Sequence, residues 1–442
     1  MIPLTLPLVD FLLTAEAQAA LAELASQELN DQASLPLLTG LRRVWSPDQA
    51  AALLDQARLR RKAGDKFPQP ERLLFTDDAL QQASSRAVAA YRAQQFLRAL
   101  GPAQIVDLGC GLGADTIALA EAGLQVLAVE KDPVRARIAA ANVAALGLAA
   151  RARVVWGDFA LTPTLSQGER GRTLTPTLSQ GERGRTLTPA LSQGERGRDF
   201  WLPLPKGEGW GEGRIAAFID PSRRAGERRI FSLEAMDPPL STLLTLLEQI
   251  PTLAIKTMPG IADEEIPPNA EVEFIAERGQ MKEALLRFGA LRTGAARRAT
   301  LLPGPHHLDS NAPRRETPVS PPLAWLYEPD AAVIRATLVQ HLATQLGAAQ
   351  LDPTIAYLTS DQPVETPFAR RWAVLRHGPF HLKTLNRWLR ELDAGEVVVK
   401  KRGSAVDPAE FRRRLKTTPG GRPLTVFLTR VKGKPWMVLG EG

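Results

Sequence analysis

The segment that most narrows what this chain can fold into is Ile105-Val106-Asp107-Leu108-Gly109-Cys110-Gly111-Leu112-Gly113. A short apolar run, Gln104 to Leu108, ends in three alternating glycines, and a helical pattern follows from Ala114 to Ala122. Gln125 to Val129 is again apolar and β-like, so the order is strand, glycine turn, helix, strand: a βαβ unit. Glycines after a first strand let backbone approach a ligand closely and leave helix N–H groups facing it. Glu130 ends the next strand about twenty residues past the first glycine, where a carboxylate can accept both hydroxyls of a ribose. The spacing suits an adenosyl cofactor. The dinucleotide pattern G-x-G-x-x-G is not met, because Gly113 follows Gly111 by only two positions.

With 442 residues the chain has room for about three domains of ordinary size, and 44% hydrophobic residues are ample for a packed core. One cysteine, Cys110, excludes an internal disulfide or a Cys-rich metal site, and five histidines leave little for another kind. No metal partner is expected. The opening MIPLTLPLVDFLLTAEAQA has no Lys or Arg before Arg42 and is interrupted by Asp10, so it reads as a soluble helix rather than a secretory signal. No apolar stretch reaches the length of a membrane span. No membrane partner and a reducing, cytoplasmic location are expected, and the oligomeric state is left open.

Along the chain, residues 1–100 read as a helical N-terminal region whose last segment, Ser84 to Leu100, opens with Ser84 as N-cap. Residues 101–305 carry the α/β rhythm. Inside them a 13-residue unit, TLTPTLSQGERGR, recurs almost unchanged between 161 and 198 and runs on into Gly- and Pro-rich sequence to 214. Such a unit holds too few apolar residues to offset the entropy of ordering it, so 161–214 reads as a flexible low-complexity insertion. Expected strands follow at Ala216 to Ile219 and Leu253 to Lys256, with a helix Leu240 to Gln249 between them. A Pro-rich linker, 306–322, precedes a small basic α+β domain at 323–442. There a helix near Asp330 to Leu346 is expected, then strands and helices ending in the strand pair Leu424 to Thr429 and Pro435 to Leu439.

VDLGCGLG, the acidic AVEKD and WGDF at 156–159 resemble the successive motifs of class I S-adenosylmethionine-dependent methyltransferases. The resemblance implies a Rossmann-like, doubly wound α/β sheet. It places S-adenosyl-L-methionine over Asp107, Gly109, Gly111, Gly113, Glu130 and Asp158, with Asp107 toward the amino group of the methionine moiety and Asp158 toward the adenine. In the same superfamily the Phe218-Ile219-Asp220-Pro221 edge faces the acceptor, making Asp220 the catalytic candidate that orients or deprotonates it. DPSRR departs from the N/D-P-P-Y form that stacks a flipped base. It is closer to uridine C5-methyltransferases, whose ring addition needs a cysteine nucleophile; Cys110, in the cofactor turn, is wrongly placed for that. Arg223 and Arg224 are candidate phosphate forks, and Lys256 a candidate substrate contact on the same sheet edge.

The order DPSRR, IKTMPG, YLTSD, FARRW, VVVKKRG and FLTR, with KAGDKF and FTDDALQQAS upstream, resembles a bacterial family of these enzymes with a C-terminal THUMP-like domain. THUMP domains bind RNA, so the resemblance implies an RNA acceptor. The charge supports it. The formal net charge is +7, yet residues 364–442 alone carry 17 Lys or Arg against 7 Asp or Glu. Lys400, Lys401 and Arg402, and Arg412 to Arg414, are candidate phosphate contacts. The residues leave open two other readings: an RNA-binding protein that keeps the fold as a scaffold, and a methyltransferase for a small molecule or protein.

Overall fold

The computed structural model describes residues 1–157, 215–222 and 232–442, with the short strands 177–180, 199–201, 224–225 and 228–229. The expected insertion at 161–214 lies otherwise outside the described residues. The chain divides into two compact units, Met1–Ala270 with Leu285–Thr293, and Glu271–Ala284 with Gly294–Gly442. Among the described residues no helix is long and apolar enough to cross a membrane.

The first unit begins with helices, several of whose starts are set by local capping. Thr14 accepts the Ala17 N–H ahead of Ala15–Ala25, and Ser46 forms a capping box with Gln49 ahead of Pro47–Lys62, whose basic last turn suits the carbonyl end of the helix dipole. Ser85, not Ser84, caps Arg86–Leu100. Both serines have the chemistry for the position, and the tertiary contacts of Ser84 decide between them.

Behind these helices lies a parallel sheet in the order Leu253–Thr257, Ile215–Ile219, Gln104–Leu108, Gln125–Glu130, Ala152–Trp156. The chain winds outward from Gln104–Leu108 to Ala152–Trp156, then returns to build the other side from Ile215–Ile219. The reversal falls between Gln104–Leu108 and Ile215–Ile219, and in a doubly wound sheet ligands settle in the crevice outside the strand ends at that point. Register brings Leu108 beside Ile219, so Gly109 and Asp220 emerge together at the carboxyl edge.

The extended segment Leu73–Phe75 ties helices to sheet. Its backbone groups find side chains in place of strand partners: Gln56 pairs with both the N–H and the carbonyl of Phe75, at 2.9 and 2.6 Å. Asn142 pairs with both groups of Leu74, at 2.8 and 3.1 Å, and Arg60 Nε donates to the Leu73 carbonyl at 2.9 Å. Since buried backbone groups must be satisfied, these three side chains fix where the segment runs. The expected helix Leu240 to Gln249 is shorter, Leu240–Leu244 followed by a 3-10 turn.

In the second unit, Glu271–Glu277 pairs in parallel with Arg297–Leu302, which pairs antiparallel with His306–Asp309. The expected linker at 306–322 therefore opens with a strand, and the division of the chain falls earlier than 305. A seven-stranded sheet follows in the order Ala349–Asp352, Ile355–Ser360, Trp325–Pro329, Ala369–Pro379, Lys434–Glu441, Arg422–Val431, Ala394–Lys401. Only its last pair is parallel, crossed over by the helix Pro408–Arg413. The helix expected near Asp330 to Leu346 is two, Ala331–Arg335 and Val339–Leu346, broken where Thr337 turns to φ +58°.

Candidate functional site

The crevice at the strand reversal is built around the glycine turn. Gly109 has φ +79°, and a Cβ there would lie 2.9 Å from the carbonyl oxygen of Asp220, so only glycine lets the two loops meet. Gly111, at φ +59°, has nothing within 4 Å of its Cβ position, and Gly113 starts the helix Ala114–Glu121 with φ +90°. Glu130 is 5% exposed and faces this turn. One carboxylate oxygen accepts the Gly111 N–H at 2.8 Å and the other the Asp132 N–H at 3.0 Å. Each oxygen keeps lone pairs for a further donor. Trp156, exposed at the end of its strand, donates Nε1–H to the Lys131 carbonyl at 3.1 Å, and Lys131 reaches the Asp237 carboxylate at 2.5 Å, making a rim beside Glu130.

Beneath the turn, polar side chains form an unbroken buried chain. Arg92 is 1% exposed, pairs with Asp115 and lies 4.2 Å from the centroid of the Phe218 ring. The Ser84 hydroxyl donates to Asp115 at 3.0 Å, and Lys256 approaches Ser84 Oγ at 3.3 Å. The same ammonium lies 2.6 Å from Asp220 Oδ2. Lys256 is thus buried and engaged with Asp220, while the Asp220 side chain is 26% exposed and its second oxygen has no hydrogen-bond partner among the described residues. The helical N-terminal region supplies two members of this chain, Ser84 and Arg92.

Asp107 sits fully buried above it. Thr116 donates to one of its oxygens; the other has no partner. Burial, then the neighbouring Asp115 and Asp220 carboxylates, push its pKa up to about 8 against the opposing Thr116 hydroxyl and Arg92. The native state therefore holds a proton that the unfolded chain releases near pH 4. Stability from this group is full below about pH 4 and is lost as pH rises through about 8, at up to about 1.4 kcal/mol per pH unit. Urea unfolding across that window should show the decline, and Asp107→Asn should flatten it; parallel profiles for the two proteins would contradict the assignment. The Cys110 thiol is buried and pushed up by burial, then by the carboxylates of Asp107 and Glu130.

The other expected residues are placed differently. Asp158 and Arg223 lie outside the described residues, as does the side chain of Arg224. In the second unit Lys400 pairs with Glu328 and lies 5.0 Å from the Trp372 ring, and Arg402 lies 5.3 Å from the Tyr357 ring; of that trio only Lys401 is exposed. Arg412, Arg413 and Arg414 are all exposed. A further basic face had not been singled out from the sequence. Lys383, Arg387 and Arg390 are exposed on the helix Leu382–Glu391, and Asn386 on that helix bonds the backbone of Arg414 at 3.1 Å and of Lys416 at 2.9 Å. Among the described residues no cluster of His, Cys, Asp and Glu could hold a metal ion.

Known proteins give this geometry a context. Residues 369–442 match a family model described as THUMP domain-like, and residues 5–63 one described as a domain of unknown function (DUF8688). The chain is 32% identical over 394 residues to an uncharacterized S-adenosylmethionine-dependent methyltransferase of Mycobacterium tuberculosis strain H37Rv, covering 87% of this chain and 94% of that protein. Over 86 residues it is 41% identical to a 23S rRNA (uracil(1939)-C(5))-methyltransferase of Acidithiobacillus ferrooxidans, 20% of this chain and 19% of that one. A crystal structure of a candidate methyltransferase from Porphyromonas gingivalis W83 superposes with a TM-score of 0.67 at 21% identity, over 96% of this chain and 97% of that one, and so shares the fold.

Proposed function

This chain belongs to the S-adenosylmethionine-dependent methyltransferases that carry a C-terminal THUMP-like domain, and from that premise we propose that its acceptor is RNA, bound through the basic surface of the second unit. The observation that carries the reading is that surface. Lys383, Arg387 and Arg390 at helical spacing share one exposed face, and Arg412 to Arg414 and Lys401 are exposed as well. Arg387 has Glu391 3.7 Å away on the same helix, an exposed pair worth little, and the basic groups still outnumber the acids: 17 Lys or Arg against 7 Asp or Glu over residues 364–442, the footprint of phosphate binding. The partial likeness to a ribosomal RNA methyltransferase supports the same class of acceptor.

The residues at the crevice fit the cofactor. The unpartnered oxygen of Asp107, buried beside the turn, suits an ammonium, whose positive charge would favour the ionised carboxylate over the protonated form held in its absence; Glu130 suits the two ribose hydroxyls, and the open approach at Gly111 leaves room for ligand against backbone. When bound, S-adenosylmethionine supplies a methyl group on a positively charged sulfonium. That charge already activates the methyl, so the protein's task is alignment. Asp220 offers its free oxygen to an N–H or O–H of the acceptor, and Lys256 fixes the carboxylate's direction from behind. The acceptor is therefore a nucleophilic nitrogen or oxygen. A pyrimidine C5 route needs a cysteine thiolate, and the lone Cys110 is buried with its thiol held protonated.

Two measurements test the reading separately. For the cofactor, Glu130→Ala should weaken S-adenosylhomocysteine binding about 100-fold in calorimetry, the loss of two hydrogen bonds to a charged group; an unchanged affinity would remove Glu130 from the site. For the acceptor, tritiated methyl from the cofactor should enter total RNA. A Lys383→Glu, Arg387→Glu, Arg390→Glu triple variant should bind RNA more weakly, with the salt slope reduced by about two, while cofactor affinity stays put. Label that enters protein or small molecules instead, or RNA binding indifferent to the triple variant, defeats the proposal.

A further inference from the structure

The first unit contains an open cavity of about 780 Å³ on its helical side, within the range of small-molecule sites. Leu21, Ala57 and Leu74 give it apolar walls, with Ala141 of the helix Pro133–Ala145 on the far side. Arg60 lines it from the helix Pro47–Lys62, and it is an unusual lining residue. It is 9% exposed, and its guanidinium donates to the Leu73 carbonyl and to Gln18 Oε1, both at 2.9 Å. Both acceptors are neutral. No carboxylate among the described residues lies within ion-pair distance, and Nη1 has no hydrogen-bond partner there. Burial lowers its pKa to about 10, opposed only by the more distant Glu71.

Buried charges are ordinarily paired, because removing an ion from water costs several kcal/mol unless a counter-charge and hydrogen bonds replace the solvent. Arg60 has the hydrogen bonds for its Nε and Nη2 sides and lacks the counter-charge. The surroundings add to the deficit. Arg61 and Arg72 also line the cavity, and their recorded acceptors are carbonyl oxygens of the backbone and of Gln69. Glu71 is the one acid among the lining residues.

We propose that this cavity is a binding site for a small organic anion, a molecule with one carboxylate, phosphate or sulfonate head set against the free edge of Arg60 and a flat or branched apolar body against Leu21, Ala57 and Leu74. A planar guanidinium with an unused N–H edge suits an oxyanion, and the alanines leave the width for a ring. The site is separate from the crevice that holds Glu130 and Asp220, and nothing in methyl transfer calls for it.

The probe is 8-anilinonaphthalene-1-sulfonate, titrated by fluorescence into the full chain with the cofactor crevice filled by S-adenosylhomocysteine. Its comparison is N-phenyl-1-naphthylamine, the same body without the sulfonate. The sulfonate should bind one-to-one and at least tenfold more tightly than the neutral amine, and Ala141→Phe, which fills the cavity and leaves Arg60 in place, should abolish both. Equal affinity for the two probes overturns the proposal on the unaltered protein, whatever the variant does. So does sulfonate binding that survives in folded Ala141→Phe.

Discussion

Asp220→Asn is expected to lower single-turnover methyl transfer about 100-fold while leaving S-adenosylhomocysteine affinity within about twofold. The amide keeps the size of the side chain and one oxygen for Lys256, whose ammonium lies 2.6 Å from Asp220 Oδ2. What it loses is the charge on the second oxygen, the one free to meet an acceptor proton. A positioned base contributes about 10²-fold to 10⁴-fold, and the low end applies where the leaving group is already activated. Cofactor affinity is the internal control, because Glu130 and the glycine turn are untouched. Turnover within threefold of the unaltered protein would show that Asp220 does not contact the acceptor.

The second large effect is on stability. Arg92→Met should cost about 3–5 kcal/mol, the loss typical of removing one partner from a buried ion pair. The side chain is 1% exposed, and its departure strands the Asp115 carboxylate beside Asp107 with only Ser84 to donate to it. It also strips the guanidinium from the face of Phe218, 4.2 Å away. The cause can be separated from lost packing. Adding Asp115→Asn removes the stranded charge, so the double variant should recover part of the loss in urea unfolding. A loss below about 1 kcal/mol, or a double variant no better than the single, would mean that the pair carries little.

Much of the glycine-turn side of the candidate crevice was legible in the sequence, because its geometry is local. Asp107, the three glycines and Glu130 belong to one βαβ unit, and spacing along such a unit is position in space. The side that holds Asp220 was less so. That Lys256 meets Asp220 depends on Leu253–Thr257 lying beside Ile215–Ile219, a register no short window contains. Ser84 was misread as a cap because Ser85 satisfies the same rule one residue on. Arg92 did leave a trace: it stands among Val88, Ala89, Phe96 and Leu100 on the buried stripe of its helix, and a charge on such a stripe must find a partner. The basic trio Lys400 to Arg402 does not share one exposed face, for a geometric reason. Side chains on a strand alternate between faces, so adjacent charges in sequence part company in space, whereas Lys383, Arg387 and Arg390 on a helix gather on one side.

Asn142 carries a further implication. Besides pairing with Leu74, it donates to the Leu112 carbonyl at 3.1 Å, so a single amide clasps both the glycine turn and the strip of chain delivered by the leading helices. A truncation that starts at Ala103 to obtain a minimal catalytic core would forfeit Ser84, Arg92 and the strip that Asn142 holds. The N-terminal helices and the parallel sheet are in this sense one packed body, joined through Asp115 and Asn142.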